Sequence, residues 1–253
     1  MTQNEINKLL DEKYEEFNNT AFIIDDPISI PHLFTRKEDV EISAFFAAIL
    51  AWGQRAQIIL NADKLMQIMD YSPYQFITTA TNEDLGSFQN FVYRTFNGTD
   101  CVFFIRSLQK IYNKHDGLEK VFTDAYKKYG SIKMAISVFR KIFFSTPHLR
   151  HSEKHISDPI KNLACKRLNL FLRWMVRQDN RGVDFGLWKG IPPSALYCPL
   201  DVHTGETSRE LGLLSIKQNN WKAVEELTCK LRKFDPVDPV KYDFSLFGLG
   251  FIK

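Results

Sequence analysis

A chain of 253 residues, 44% hydrophobic, 25% charged and nearly neutral at +3, is long enough to bury a sizeable core. No apolar run approaches the roughly 18 residues of a membrane span, and the acidic, amphipathic start MTQNEINKLLDEKYEEF is neither a secretory signal nor a transit peptide. Cys101, Cys165, Cys198 and Cys229 form no CxxC pair, so free thiols in a reducing cytoplasm are expected, with no zinc site, iron–sulfur cluster or other cofactor.

Helical periodicity dominates the pass along the chain. Ile6, Leu9, Leu10, Tyr14 and Phe17 share one stripe, and Asp26-Pro27 and Ile30-Pro31 then break the chain. From about Val40, VEISAFFAAILAW is too apolar for a surface helix and reads as the central helix of the fold. Further helical patterns fall at 55–70, around 73–78 and 83–90, at 99–114, 117–129 and 131–143. Apolar residues rarely alternate with period two, so an all-α fold is expected.

Charge is unevenly spread. Residues 1–45 carry four Lys/Arg against ten Asp/Glu, whereas residues 140–181 carry ten against three. A locally basic segment in a nearly neutral protein points to an anionic partner, although a solvated face has the same signature. Within it, ACKRLNLFLRWMVR puts Ala164, Leu168, Phe171, Leu172 and Met175 on one side of a helix. Lys166, Arg173 and Arg177 form a cationic stripe on the other. Upstream, Asp158 reads as a cap with Pro159 in the first turn. Either a break at Lys161-Asn162 or one continuous helix over 158–177 fits the pattern.

After a connection containing Pro192 and Pro193 comes PLDVHTGETSREL, in which Asp201 stands at a helix start. A further amphipathic helix runs from about Trp221, and DPVDPVKYDFSLFGLG reads as a last helix capped by Asp238 with Pro239 behind it. If Lys166 and Asp201 meet, the pair has a chemistry. A lysine near a helix N-terminus feels the positive end of the dipole, and its neutral form is a nucleophile toward sugar aldehyde carbons. A neighbouring carboxylate can take the amine's proton or stabilise positive charge on a sugar ring as its base departs.

A lysine in a basic, amphipathic helix start followed by Pro-Leu-Asp-Val-His at a second helix start resembles the helix-hairpin-helix DNA glycosylase superfamily. Within it, the segment is most similar to the 8-oxoguanine glycosylases, archaeal branch included, and it also looks like a bacterial group of the same type. The resemblance implies two helical subdomains with a central cleft, residues 45–184 forming one and 1–44 plus 185–253 the other. It implies Lys166 as the Schiff-base nucleophile and Asp201 as the catalytic carboxylate. Lys161, Arg167, Arg173, Arg177 and His203 would contact nucleic acid, and Gln54, Tyr242 and Phe244 would line a base pocket. The glycine-free SDPIKNLACK departs from the Leu-Pro-Gly-Val-Gly type of hairpin, and the Lys166-to-Asp201 spacing of 35 residues exceeds that in many members.

The expected protein is therefore a cytoplasmic, monomeric DNA glycosylase of base-excision repair, acting on an oxidised purine with or without β-lyase activity. Two other readings compete with it. One is a nucleic-acid-binding protein on the same scaffold without chemistry, and the other is a helical protein–protein interaction module.

Overall fold

The structure is a computed structural model and describes residues 1–251. The helices in chain order are α1 (Gln3–Phe17), α2 (Ala21–Ile24), α3 (Lys37–Leu50), α4 (Arg55–Ile68), α5 (Pro73–Thr79), α6 (Gly98–His115), α7 (Leu118–Tyr129) and α8 (Ile132–Phe143). After them come α9 (Lys166–Val176), α10 (Val202–Glu210), α11 (Trp221–Phe234) and α12 (Tyr242–Phe251). Among the described residues the only strands are β1 (Val92–Tyr93) and β2 (Phe96–Asn97), an antiparallel pair with Val92 opposite Asn97. The fold is all-α. Among the described residues no helix is long and apolar enough to cross a membrane.

The chain divides into two compact units. One comprises Met1–Ile24 with Asp158–Lys253, and the other is the continuous segment Asp25–Ser157. The boundaries fall at the Pro-containing breaks near Asp26 and Asp158, not at 44/45 and 184/185. In both places the aspartate caps a 3-10 turn that opens with proline. This moves all of α9 into the unit that holds α10, α11 and α12.

In the continuous unit, α3 is the central helix expected from its apolarity, since every residue from Val40 to Leu50 is buried. Its one buried carboxylate, Glu41, accepts from the Tyr112 hydroxyl at 2.8 Å. Phe45, Phe104, Phe139 and Phe143 pack edge-on and tilted around it, with Phe104 and Phe143 4.8 Å apart. The expected helix at 83–90 is instead a short 3-10 turn, Asp84–Phe88. A second buried carboxylate, Asp100 in the first turn of α6, accepts from Ser152 Oγ at 2.6 Å and the Asn97 amide at 3.1 Å.

In the other unit, α1 packs on α12 through Ile6 and Leu10, which are buried. The helices approach so closely that a Cβ on Gly248 would fall 2.1 Å from the Phe17 ring, and only glycine fits there. Helix α9 is enclosed on nearly all sides: Leu168, Asn169 and every residue from Phe171 to Val176 are buried. Trp188 packs edge-on against Phe171 at 5.3 Å, and both Trp174 and Trp188 are core residues.

Candidate active site

Helix α9 starts abruptly. Asp158 caps the turn Pro159–Lys161 by accepting from the Ile160 amide at 3.0 Å, and Asn162 then takes a left-handed backbone at φ 60°. Three residues later Cys165, also left-handed at φ 51°, stands immediately before Lys166. The chain therefore breaks at Lys161-Asn162, and the continuous helix over 158–177 does not form. Two non-glycine residues make the reversal. Asparagine tolerates this region better than most side chains, so the hairpin can be built without glycine.

Lys166 is the first residue of α9 and Asp201 is the N-cap of α10. They meet, with Lys166 Nζ 3.3 Å from Asp201 Oδ2 and side chains 31% and 26% exposed. The other carboxylate oxygen accepts from the Thr204 amide at 2.9 Å, so Asp201 caps its helix and faces the amine at once. Burial pushes the Asp201 carboxyl up, but the Lys166 ammonium and the Thr204 amide outweigh it, and the group sits below its ordinary value. It is an ionised carboxylate at neutral pH. The pair lies within one unit and needs no second subdomain to assemble.

The remainder of the cationic stripe does something else. Arg173 and Arg177, expected to contact nucleic acid, are 3% and 0% exposed. Arg173 reaches Asp184 at 3.3 Å and hydrogen-bonds Asp243 through its other branch. Arg177 pairs with Asp179 at 2.7 Å, Asp238 at 2.8 Å and Asp184 at 3.0 Å, and donates to the Tyr14 hydroxyl. Periodicity places these arginines opposite an apolar face, and that position would meet water only on a surface helix. On an enclosed helix it meets carboxylates. Asp238, expected as a helix cap, makes no capping bond and instead holds Arg177 through Oδ2.

Tyr242 and Phe244, expected in a base pocket, are core residues. Tyr242 donates to Asn7 or Asp11, each 3.0 Å away, and Phe244 lies under the Arg173 guanidinium at 4.2 Å. The apolar composition of α12 enforces this, because its start is packed inward against α1 and α10. Gln54 is exposed at the N-cap of α4 in the other unit. Lys161 and His203 are exposed, His203 as the second residue of α10. Arg167 is half-buried, and burial pushes its guanidinium down to about 10, which leaves it cationic at neutral pH.

Periodicity gave no sign of the layer beneath the pair. Asp243 is buried, and burial pushes its carboxyl up to about 6 against the opposing pull of Arg173, with the Asp201 charge adding to the rise. Cys198, 3.9 Å from Asp243 Oδ1, is buried and pushed well up by burial and that carboxylate, so it is an inert thiol. A lone acid inside the apolar run KYDFSLFGLG is the available sequence signal for Asp243. Among the described residues no cluster of three His, Cys, Asp or Glu side chains could hold a metal ion.

The family described as "Protein of unknown function (DUF2400)" matches residues 26–252, nearly the whole chain. The chain belongs to that family. No curated protein and no solved structure matches it. The matched DUF2400 span includes both Lys166 and Asp201, so the pair lies inside the family region.

Proposed function

We propose that this protein is a DNA glycosylase that removes an oxidised purine through Lys166 and can cleave the strand by β-elimination, working as a cytoplasmic monomer on damaged duplex. The reading rests on one observation: an amine at a helix N-terminus lies 3.3 Å from a carboxylate at a second helix N-terminus, both partly open to solvent. Asp201 takes a proton from the Lys166 ammonium, and the neutral amine attacks C1′ of an extruded nucleotide as the glycosidic bond breaks. The base leaves with the bonding electron pair and acquires a proton. The ring oxygen then departs from C1′ as a hydroxyl and leaves an iminium between C1′ and Nζ. Loss of a C2′ proton expels the 3′ phosphate, and water releases the amine. Asp201, ionised again once the departing base has taken its proton, stabilises the positive charge of the iminium on the opened sugar. With Arg173 and Arg177 engaged in the core, phosphate contacts fall to Lys161, Arg167 and His203, aided by the amide-rich starts of α9 and α10.

The Thr204–Asp201 capping bond favours a second reading, a binding scaffold on which Asp201 is only a cap. Borohydride trapping separates the two. On duplexes carrying 8-oxoguanine or an abasic site, the wild type is expected to give a covalent band that Lys166→Ala lacks. Salt-sensitive DNA binding with no band on any lesion would leave the scaffold. An absence of DNA binding even at low salt would point to a protein–protein module.

A further inference from the structure

The lysine and the aspartate belong to segments 35 residues apart in the chain, and a third segment ties both of them down. Leu163 pairs with Asn220 in an isolated antiparallel bridge. The Trp221 amide donates to the Asn162 carbonyl at 3.2 Å, and the Lys222 amide donates to Asn162 Oδ1 at 3.1 Å. These bonds fix the hairpin from which Lys166 emerges. On the other side, Asn219 Nδ2 donates to the Asp201 backbone carbonyl at 2.7 Å. Four consecutive residues, Asn219 to Lys222, thus hold Asn162 and Leu163 on one side of the ion pair and the Asp201 backbone on the other.

The grip is itself held. Arg209 donates through Nη2 to Asn219 Oδ1 at 2.6 Å and through Nε to the Ile216 carbonyl at 2.9 Å. Glu226 on α11 accepts from the Ser215 amide at 2.8 Å and the Ile216 amide at 3.3 Å. The one glycine inside α10 also has its explanation here. A Cβ on Gly205 would stand 2.6 Å from Asn219 Oδ1 and 2.8 Å from Arg209 Nη1, so this helix gives up side-chain volume where the Asn219–Arg209 contact needs room.

We infer that Asn219–Lys222 is a brace that sets the Lys166–Asp201 distance, with Asn162 and Asn219 as positioning residues. The brace is a property of the pair. Its consequence for turnover rests on the glycosylase reading.

A zero-length carbodiimide cross-link tests the brace directly. The reagent activates a carboxylate as an O-acylisourea, and a contacting amine displaces the urea to leave an amide. The Lys166–Asp201 amide is quantified by peptide mass spectrometry against the Lys241–Asp235 amide, whose groups are 2.8 Å apart in the same unit. In Asn219→Ala and in Asn162→Gly, which keeps the left-handed backbone accessible, this ratio is expected to fall about tenfold, as an ångström-scale displacement of reacting groups implies. The maximal single-turnover rate of borohydride trapping is expected to fall by about the same factor, with half-saturating DNA unchanged. An unchanged ratio in both variants, or no Lys166–Asp201 amide in the wild type, overturns the inference. If Asn219→Ala loses both amides it has not folded, and Asn162→Gly decides alone. A fallen ratio in a protein that traps no substrate keeps the brace and removes the glycosylase reading.

Discussion

The two ends of helix α9 carry cations of the same stripe and put them to opposite uses. At its start Lys166 is about one-third exposed and faces the Asp201 carboxylate across 3.3 Å. Two and three turns on, Arg173 and Arg177 are buried and face four carboxylates: Asp179, Asp184, Asp238 and Asp243. Guanidinium suits the inner end because it is weakly hydrated and its planar fork can serve several oxygens at once. On the proposed glycosylase reading a primary amine suits the outer end, because its neutral form is a nucleophile. Helical phase alone does not tell a partly exposed cation from a buried one. Depth along the helix does.

That contrast can be broken by removing one carboxylate at each end. At the inner end, Asp184→Ala leaves both arginines short of a partner that is itself fully buried. A loss of about 3–5 kcal/mol in urea unfolding is expected. A loss below about 1 kcal/mol would mean that water serves the arginines as well as Asp184 does.

Asp243 sharpens the contrast through pH. Its carboxyl is raised from 3.8 to about 6, so the folded state holds that proton more tightly than the unfolded chain does. The stabilisation is complete below about 3.8 and is lost as pH rises through about 6. Over that window the contribution is expected to fall by up to about 3 kcal/mol. Denaturant midpoints across the window should show this slope, and Asp243→Asn should flatten it.

At the outer end the effects on stability are small. Asp201→Ala removes a cap and should cost about 1 kcal/mol, whereas Asp201→Asn keeps an equally good cap and should cost only a few tenths. The charge of Asp201 has the opposite pH sense to Asp243. Its folded value is lowered, so its contribution is present above 3.8 and is lost as pH falls through the lower folded value. The smallest effect is expected from Lys166→Ala, about 0.5 kcal/mol or less for a pair this exposed. Normal thermal melting with trapping abolished would set the outer end apart as a site. A large drop in melting temperature would make it structural.

The helices were legible because their apolar period is strong, and α3 could be read as central because VEISAFFAAILAW leaves no polar face. The pairing of Lys166 with Asp201 was suggested by the resemblance of their two segments to a known superfamily, not by their spacing, and the two side chains lie 3.3 Å apart. The fate of Arg173 and Arg177 was not legible. A helical wheel gives direction about an axis, not the depth of the helix in the fold, and their carboxylate partners lie 2 to 70 residues away in sequence. Tyr242 and Phe244 were misplaced for a related reason, because an aromatic at a helix start looks the same whether it lines a pocket or fills a core. The Asn219 brace was illegible because its side-chain bonds, Asn219 Nδ2 to the Asp201 carbonyl and the Lys222 amide to Asn162 Oδ1, each end on a backbone group, and every residue possesses those.

The close fit of Gly248 against Phe17 has a consequence for the order in which the protein can be made. The unit spanning Asp25–Ser157 is continuous and can collapse as soon as it has left the ribosome. Helix α1 precedes that unit in the chain, yet the helix that covers its apolar stripe is the last of those described. At ordinary translation rates Ile6 and Leu10 wait roughly 10–45 s for α12. During that interval the apolar stripe of α1 lacks its cover, and a chaperone that recognises short amphipathic helices would find a substrate there.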